Sequence, residues 1–140
     1  ITFFGNKGEV VINTRLLTFD SGFEISGSKN SELLLEYFSI IRKYNLQNLD
    51  LLEIFYKAQI ENNQNRIDSV NGQLENLIKR KYLYSLNFAI TNSSNEVSPY
   101  IAVSQIPDAN RDLLKKLYDT LPENIKSSKY GKVLNNLTVD

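Results

Sequence analysis

The chain has 140 residues, 41% apolar and 23% charged, which is enough to close one core and too polar for a membrane-embedded protein. Sixteen basic residues balance sixteen acidic ones, so the cationic surplus of a dedicated nucleic-acid binder is missing. Cysteine, histidine, methionine and tryptophan are all absent, which excludes thiol chemistry and histidine-activated nucleophiles from the chain itself.

Residues 1–28 read as β structure. Ile1–Phe4 is a short apolar run, and Gly5-Asn6-Lys7-Gly8 has turn chemistry. Glu9–Thr14 is rich in β-branched residues, and Asp20-Ser21-Gly22 marks a second turn. Phe23, Ile25 and Gly27 alternate with Glu24 and Ser26, the period of a half-buried strand. Three antiparallel strands are expected, with edges that something must cover. Position 1 is not methionine and the chain opens directly on a strand-like run, so it reads as a fragment trimmed at its N-terminus.

Residues 29–140 change to helical period. Asn30 or Ser31 is expected to cap a helix carrying Leu34, Tyr37, Phe38, Ile41 and Tyr44 on one stripe and ending at Asn45. Asn48 is expected to cap the next, with Leu51, Leu52, Phe55 and Ala58 on its buried side, and helix is expected to continue through the polar stretch 61–65. Ile67, Val70, Leu74, Leu77, Tyr84 and Phe88 fall on three- and four-residue steps broken only by Lys81. That is the seam of a long helix, usable for intramolecular packing or for dimerisation. Gly72 should lie on its exposed side or beside another backbone. After a polar loop at Thr91–Glu96, Ser98-Pro99 should start a helix that Pro107 stops. Asp108 should cap another, Leu121-Pro122-Glu123 restarts the chain, and Ser127 or Ser128 caps a last short helix.

Candidate chemistry is sparse. Glu32 and Glu36 stand one helical turn apart, the spacing of an acid/base pair, but first-turn carboxylates also simply favour the helix dipole. Asp108 and Asp112 could offer oxygens to a hard cation, although no calcium-loop pattern follows them and Asp108 suits a cap. Lys79-Arg80-Lys81 beside Tyr82 and Tyr84 could hold a single strand or a sugar, but on one helix these residues point in different directions. Eight tyrosines suit either an interface or a core. Asp68-Ser69-Val70 and Asp119-Thr120-Leu121 match a short bacterial O-glycosylation pattern, and Val70 and Leu121 are expected to be buried.

Two segments carry a resemblance. One is Phe23-Glu24-Ile25-Ser26-Gly27-Ser28-Lys29-Asn30-Ser31-Glu32-Leu33, a strand running through Gly-Ser-x-Asn into a helix. The other runs from Leu117-Tyr118-Asp119-Thr120-Leu121-Pro122-Glu123 to Tyr130-Gly131-Lys132, with Ile90–Ile106 between them. In this order they resemble the N-terminal domain of unknown function that precedes the thioredoxin-like domain of TlpA-like, AhpC/TSA-related proteins in the Gram-negative cell envelope. The resemblance implies an exported, lipid-anchored, periplasm-facing thiol–disulfide protein. Its Cys-x-x-Cys would lie in a thioredoxin fold beyond Asp140, so no catalytic residue of that family carries over to this chain.

The expectation is therefore a single α+β domain at 1–140, with residues 1–28 as a small antiparallel sheet and 29–140 as a helical body containing one long helix. No catalytic, cofactor-binding or metal-binding residue is assigned, and no cofactor. The implied partner is protein: the parent's own thioredoxin-like domain, a client, or a second copy. The implied role is a non-catalytic accessory domain of an extracytoplasmic disulfide oxidoreductase, with a stand-alone ligand- or glycan-binding envelope module as the alternative.

Overall fold

The structure is a computed structural model that describes residues 2–5, 9–14 and 22–139. The expected turn residues Asn6, Lys7, Gly8, Asp20 and Ser21, and Ile1, lie outside the described residues. Among the described residues, two short strands, β1 (Val11–Asn13) and β2 (Glu24–Ser26), precede six helices: α1 (Lys29–Ile60), α2 (Gln64–Thr91), α3 (Val97–Gln105), α4 (Arg111–Thr120), α5 (Glu123–Lys126) and α6 (Lys129–Thr138). Over the described residues the chain is mostly helical, with a two-stranded antiparallel sheet.

The strands pair with Ile12 opposite Ile25. Ile25 is buried while Glu24 and Ser26 are exposed, which is the expected alternation. Gly27 follows at φ +86°, and a Cβ there would collide with the Glu9 carbonyl oxygen. Only glycine serves this crossing.

The expected third strand is not formed at residues 2–5. Instead, the Phe4 N–H donates to Ser31 Oγ at 2.9 Å, and Ser31 Oγ lies 3.2 Å from the Phe4 carbonyl oxygen. A side-chain hydroxyl thus meets the backbone groups that a strand partner would have met. The Phe4 ring packs edge-on against Tyr100, with Tyr130 beside both.

Ser28, rather than Asn30 or Ser31, caps α1, its Oγ accepting from the Ser31 N–H. Asn30 reaches elsewhere: its Oδ1 accepts from the Val97 N–H at 3.0 Å, at the first residue of α3. No break occurs between Asn45 and Asn48, so α1 runs 32 residues, about 48 Å. The body therefore holds two long helices where one was expected.

The break lies at Glu61–Asn63, where helix was expected to continue. Asn62 sits in the left-handed region at φ 52°. Its N–H donates to the Gln59 carbonyl and the Asn63 N–H to the Ala58 carbonyl, a Schellman stop. Asn63 then caps α2, its Oδ1 accepting from the Arg66 N–H.

Two other caps are displaced. α3 starts at Val97, two residues before Pro99, and the buried Ser98 hydroxyl donates to the Ala89 carbonyl instead of capping. Asn110, not Asp108, caps α4. Ser128 caps α6, and the buried Gly131 lets its first turn lie against the α5 carbonyls of Ile125 and Lys126.

The main core gathers Leu34, Tyr37 and Ile41 of α1, Leu86 and Ala89 of α2, Val97 and Ile101 of α3, Leu114 and Leu117 of α4, Ile125 of α5 and Leu134 of α6. A second, smaller cluster, Leu51, Val70 and Leu77 with Tyr44, Ile54, Phe55 and Leu74 around them, comes from α1 and α2 alone. The far halves of the two long helices thus form an antiparallel arm extending from the body.

Candidate interaction surface

The arm's seam is the stripe read from the sequence: Val70, Leu77 and Phe88 are buried, and Ile67, Leu74 and Tyr84 partly so. It is used within the molecule, against α1. Lys81, the polar interruption, is half-buried and donates from Nζ to Asn45 Oδ1 at 2.9 Å. Gly72 faces open space.

Helical geometry assigns the arm's two sides. Asn45, Asn48, Ile78 and Lys81 line one shallow depression, while Lys43, Gln47 and Arg80 line another with Ile40 and Tyr44. Steps of three and four residues from Asn45 and from Ile78 bring Leu49, Leu52 and Tyr56 of α1 to the first side, with Leu74 and Ile67 of α2. Leu49, Tyr56 and Ile78 are 61%, 59% and 63% exposed. These six residues carry no charge, and Asn71 lies among them. Charged groups border them: Glu53 of α1, paired with Lys57 at 2.6 Å, Asp68 and Glu75 of α2, and Lys81 in the same depression as Ile78. The other side carries Lys43, Asp50, Lys57, Arg66 and Arg80. Leu46 and Leu83, also exposed, lie on the far sides of their helices.

Leu52, Ile67 and Leu74 of this surface fall on the stripes expected from the sequence, whereas Leu49, Tyr56 and Ile78 do not, because one buried stripe per helix has no place for them. The signal was an excess: between Leu46 and Ile60 α1 holds more apolar residues than a single seam accommodates.

The sequence-level candidates remain dispersed. Glu32 and Glu36 are exposed on the first turns of α1, and Asp108 and Asp112 are exposed around the start of α4. Lys79, Arg80 and Lys81 do diverge: Arg80 lies over the Tyr44 ring at 5.8 Å, while Lys81 turns to Asn45. Ser69 is exposed on α2, whereas the Thr120 hydroxyl donates to the Leu117 carbonyl. Val70 and Leu121 are buried as expected.

Where the arm joins the body, the fully buried Tyr37 shares a 2.7 Å hydrogen bond with Ser85. Ser85 Oγ donates in turn to the Lys81 carbonyl, so the phenol is the donor to Ser85. Burial pushes the Tyr37 phenol up. Tyr84 stacks on Tyr37 with ring centroids 5.7 Å apart. Its phenol is pushed up to about 12, first by burial and then by the nearby negative charge of Glu36. Leu33, Glu36, Tyr84, Asn87, Phe88, Thr91 and Asn92 border an open depression of about 360 Å³.

No protein family, curated protein or solved structure matches this chain. Any functional reading therefore rests on its own residues and on the sequence resemblance. Among the described residues, no helix is long and apolar enough to cross a membrane.

Proposed function

We propose that this chain works by contact: it is the non-catalytic accessory domain of an exported, thioredoxin-like disulfide oxidoreductase, and it engages protein through the apolar side of its helical arm. The observation that carries the contact reading is the exposed Leu49, Tyr56 and Ile78, with the half-buried Leu52, Ile67 and Leu74 between them. Contiguous apolar surface of this kind marks protein interaction sites. The redox setting rests on the sequence resemblance. In it, the thiolate belongs to a Cys-x-x-Cys domain beyond Asp140, facing the periplasm or envelope of a Gram-negative bacterium. This domain then positions that one, receives a client or joins two subunits.

The test uses the full-length parent. Ile78→Asp is expected to slow disulfide exchange with a protein client about tenfold, the effect of losing about 1.4 kcal/mol of contact, and to leave turnover of a small disulfide substrate unchanged. Equal rates on the protein client would overturn client contact through this face. A reading frame without Cys-x-x-Cys after Asp140 would overturn the redox setting.

One observation favours a second reading, a stand-alone module for a small ligand or glycan. The depression at Tyr84 and Phe88 places the amides of Asn87 and Asn92 beside aromatic rings, a combination that suits a sugar face and its hydroxyls. Under that reading, a glycan panel finds a binder that Asn87→Ala weakens; a panel without one removes it.

A further inference from the structure

We propose that the apolar side of the arm pairs with the same side of a second copy of this chain, two α1–α2 arms closing into a four-helix bundle. This rests on the contact reading above and names the occupant of that surface.

The first argument is self-complementarity. A twofold interface sets one patch against itself, so any charge at its centre meets its own sign. Here the centre consists of Leu49, Leu52, Tyr56, Ile67, Leu74 and Ile78, with Asn71 near the middle as the polar member. An amide both donates and accepts, so it is compatible with a copy of itself. Charged side chains stand outside this centre: Lys81 at its inner end, Glu53, Asp68 and Glu75 at its rims, and Lys43, Asp50, Lys57, Arg66 and Arg80 on the opposite side. The whole chain carries as many cations as anions, so two copies approach without net repulsion.

The second argument is area. About 16 residues per helix give an arm about 25 Å long, and two helices side by side present a strip about 20 Å wide. The strip covers about 500 Å² on each copy, and a pair buries about 1,000 Å² in all, the lower bound for a specific interface and the size of a weak, concentration-dependent pair. The third argument is the thinness of the arm. Only one layer of side chains separates its two helices, around Leu51, Val70 and Leu77. A second pair of helices gives Leu52, Ile67 and Ile78 the cover that the body's α3–α6 give the near halves of α1 and α2.

Analytical ultracentrifugation from micromolar to sub-millimolar concentration tests this. The expected result is a shift to the mass of two chains. Ile78→Asp should stay at one chain throughout with unchanged helical circular dichroism, while Leu83→Asp, on the far side of α2, should still pair. A second readout uses the absence of native cysteine. A twofold through this face leaves a mid-face residue within about 15 Å of its own copy. A bifunctional thiol reagent should therefore link Asn71→Cys into a dimer and leave Asn76→Cys, on the charged side, as single chains. This holds even if Ile78→Asp does not fold. A one-chain mass for the unaltered protein throughout, or equal linking at both positions, overturns the pairing. If Ile78→Asp still slows exchange with the protein client in the parent, the contact reading survives that failure.

Discussion

Gly72 and Gly131 lie in helices and should respond to alanine in opposite directions. At Gly72 an added methyl meets nothing, and the residue is exposed in the interior of α2. Gly72→Ala should raise stability by about 1 kcal/mol, the helix-propensity difference. At Gly131 the same methyl would collide with the carbonyl oxygens of Ile125 and Lys126, which are backbone and cannot rotate away. Gly131→Ala should lower stability by about 1–3 kcal/mol. Urea unfolding of the two variants checks both signs. Tyr84 adds a dependence on pH. Its phenol ionises near 10 when unfolded and about 12 when folded. The folded state therefore holds a proton that the unfolded state releases, and stability present below pH 10 should fall between 10 and 12. Tyr84→Phe should flatten that alkaline loss, read from thermal melts across the same range.

At the scale of elements, the α1–α2 turn depends on two adjacent asparagines with different tasks. Asn62 tolerates positive φ, and Asn63 supplies a cap. Asn62→Ala should cost about 1–2 kcal/mol through left-handed strain, and Asn62→Gly should cost less. Thermal melts of the pair separate backbone strain from loss of the amide. This turn also shows what was legible. α2 was, because its seam repeats every seven residues and its partner lies within the chain. The polar stretch 61–65 suited both an exposed helix and a turn, and left-handed tolerance at Asn62 was the overlooked signal. The uninterrupted α1 was not legible. Asn45 and Asn48 resemble a stop and a cap until α2 lies across them, where Asn45 accepts from Lys81. The same holds for the candidate surface. Leu49 and Ile78 share a side only because Asn62 turns the chain back on itself, and no periodicity within either helix contains that fact.

The molecule as a whole combines a many-sided core with an arm one layer thick. Apolar contact per residue is lower in the arm, so its backbone hydrogen bonds should open at smaller free energy. Native-state hydrogen exchange should find amides of residues 50–75 exchanging first and those around Leu34, Ile101 and Leu117 last. If the arms pair, that gap should narrow as protein concentration rises, since association stabilises only the state that binds. The sheet lies at the opposite end of α1 from the arm's tip. A domain built this way can attach at one end and reach outward at the other.

The Asn30 side chain has a consequence for how such a chain acquires its shape. α3 has no side-chain cap of its own at Glu96, and the donor at Val97 is met by an amide 67 positions earlier. The start of α3 is thus specified by a residue that arrives only when α1 and α2 have folded back together. A peptide spanning residues 92–140 would contain the sequence of α3 and lack the group that tells it where to begin.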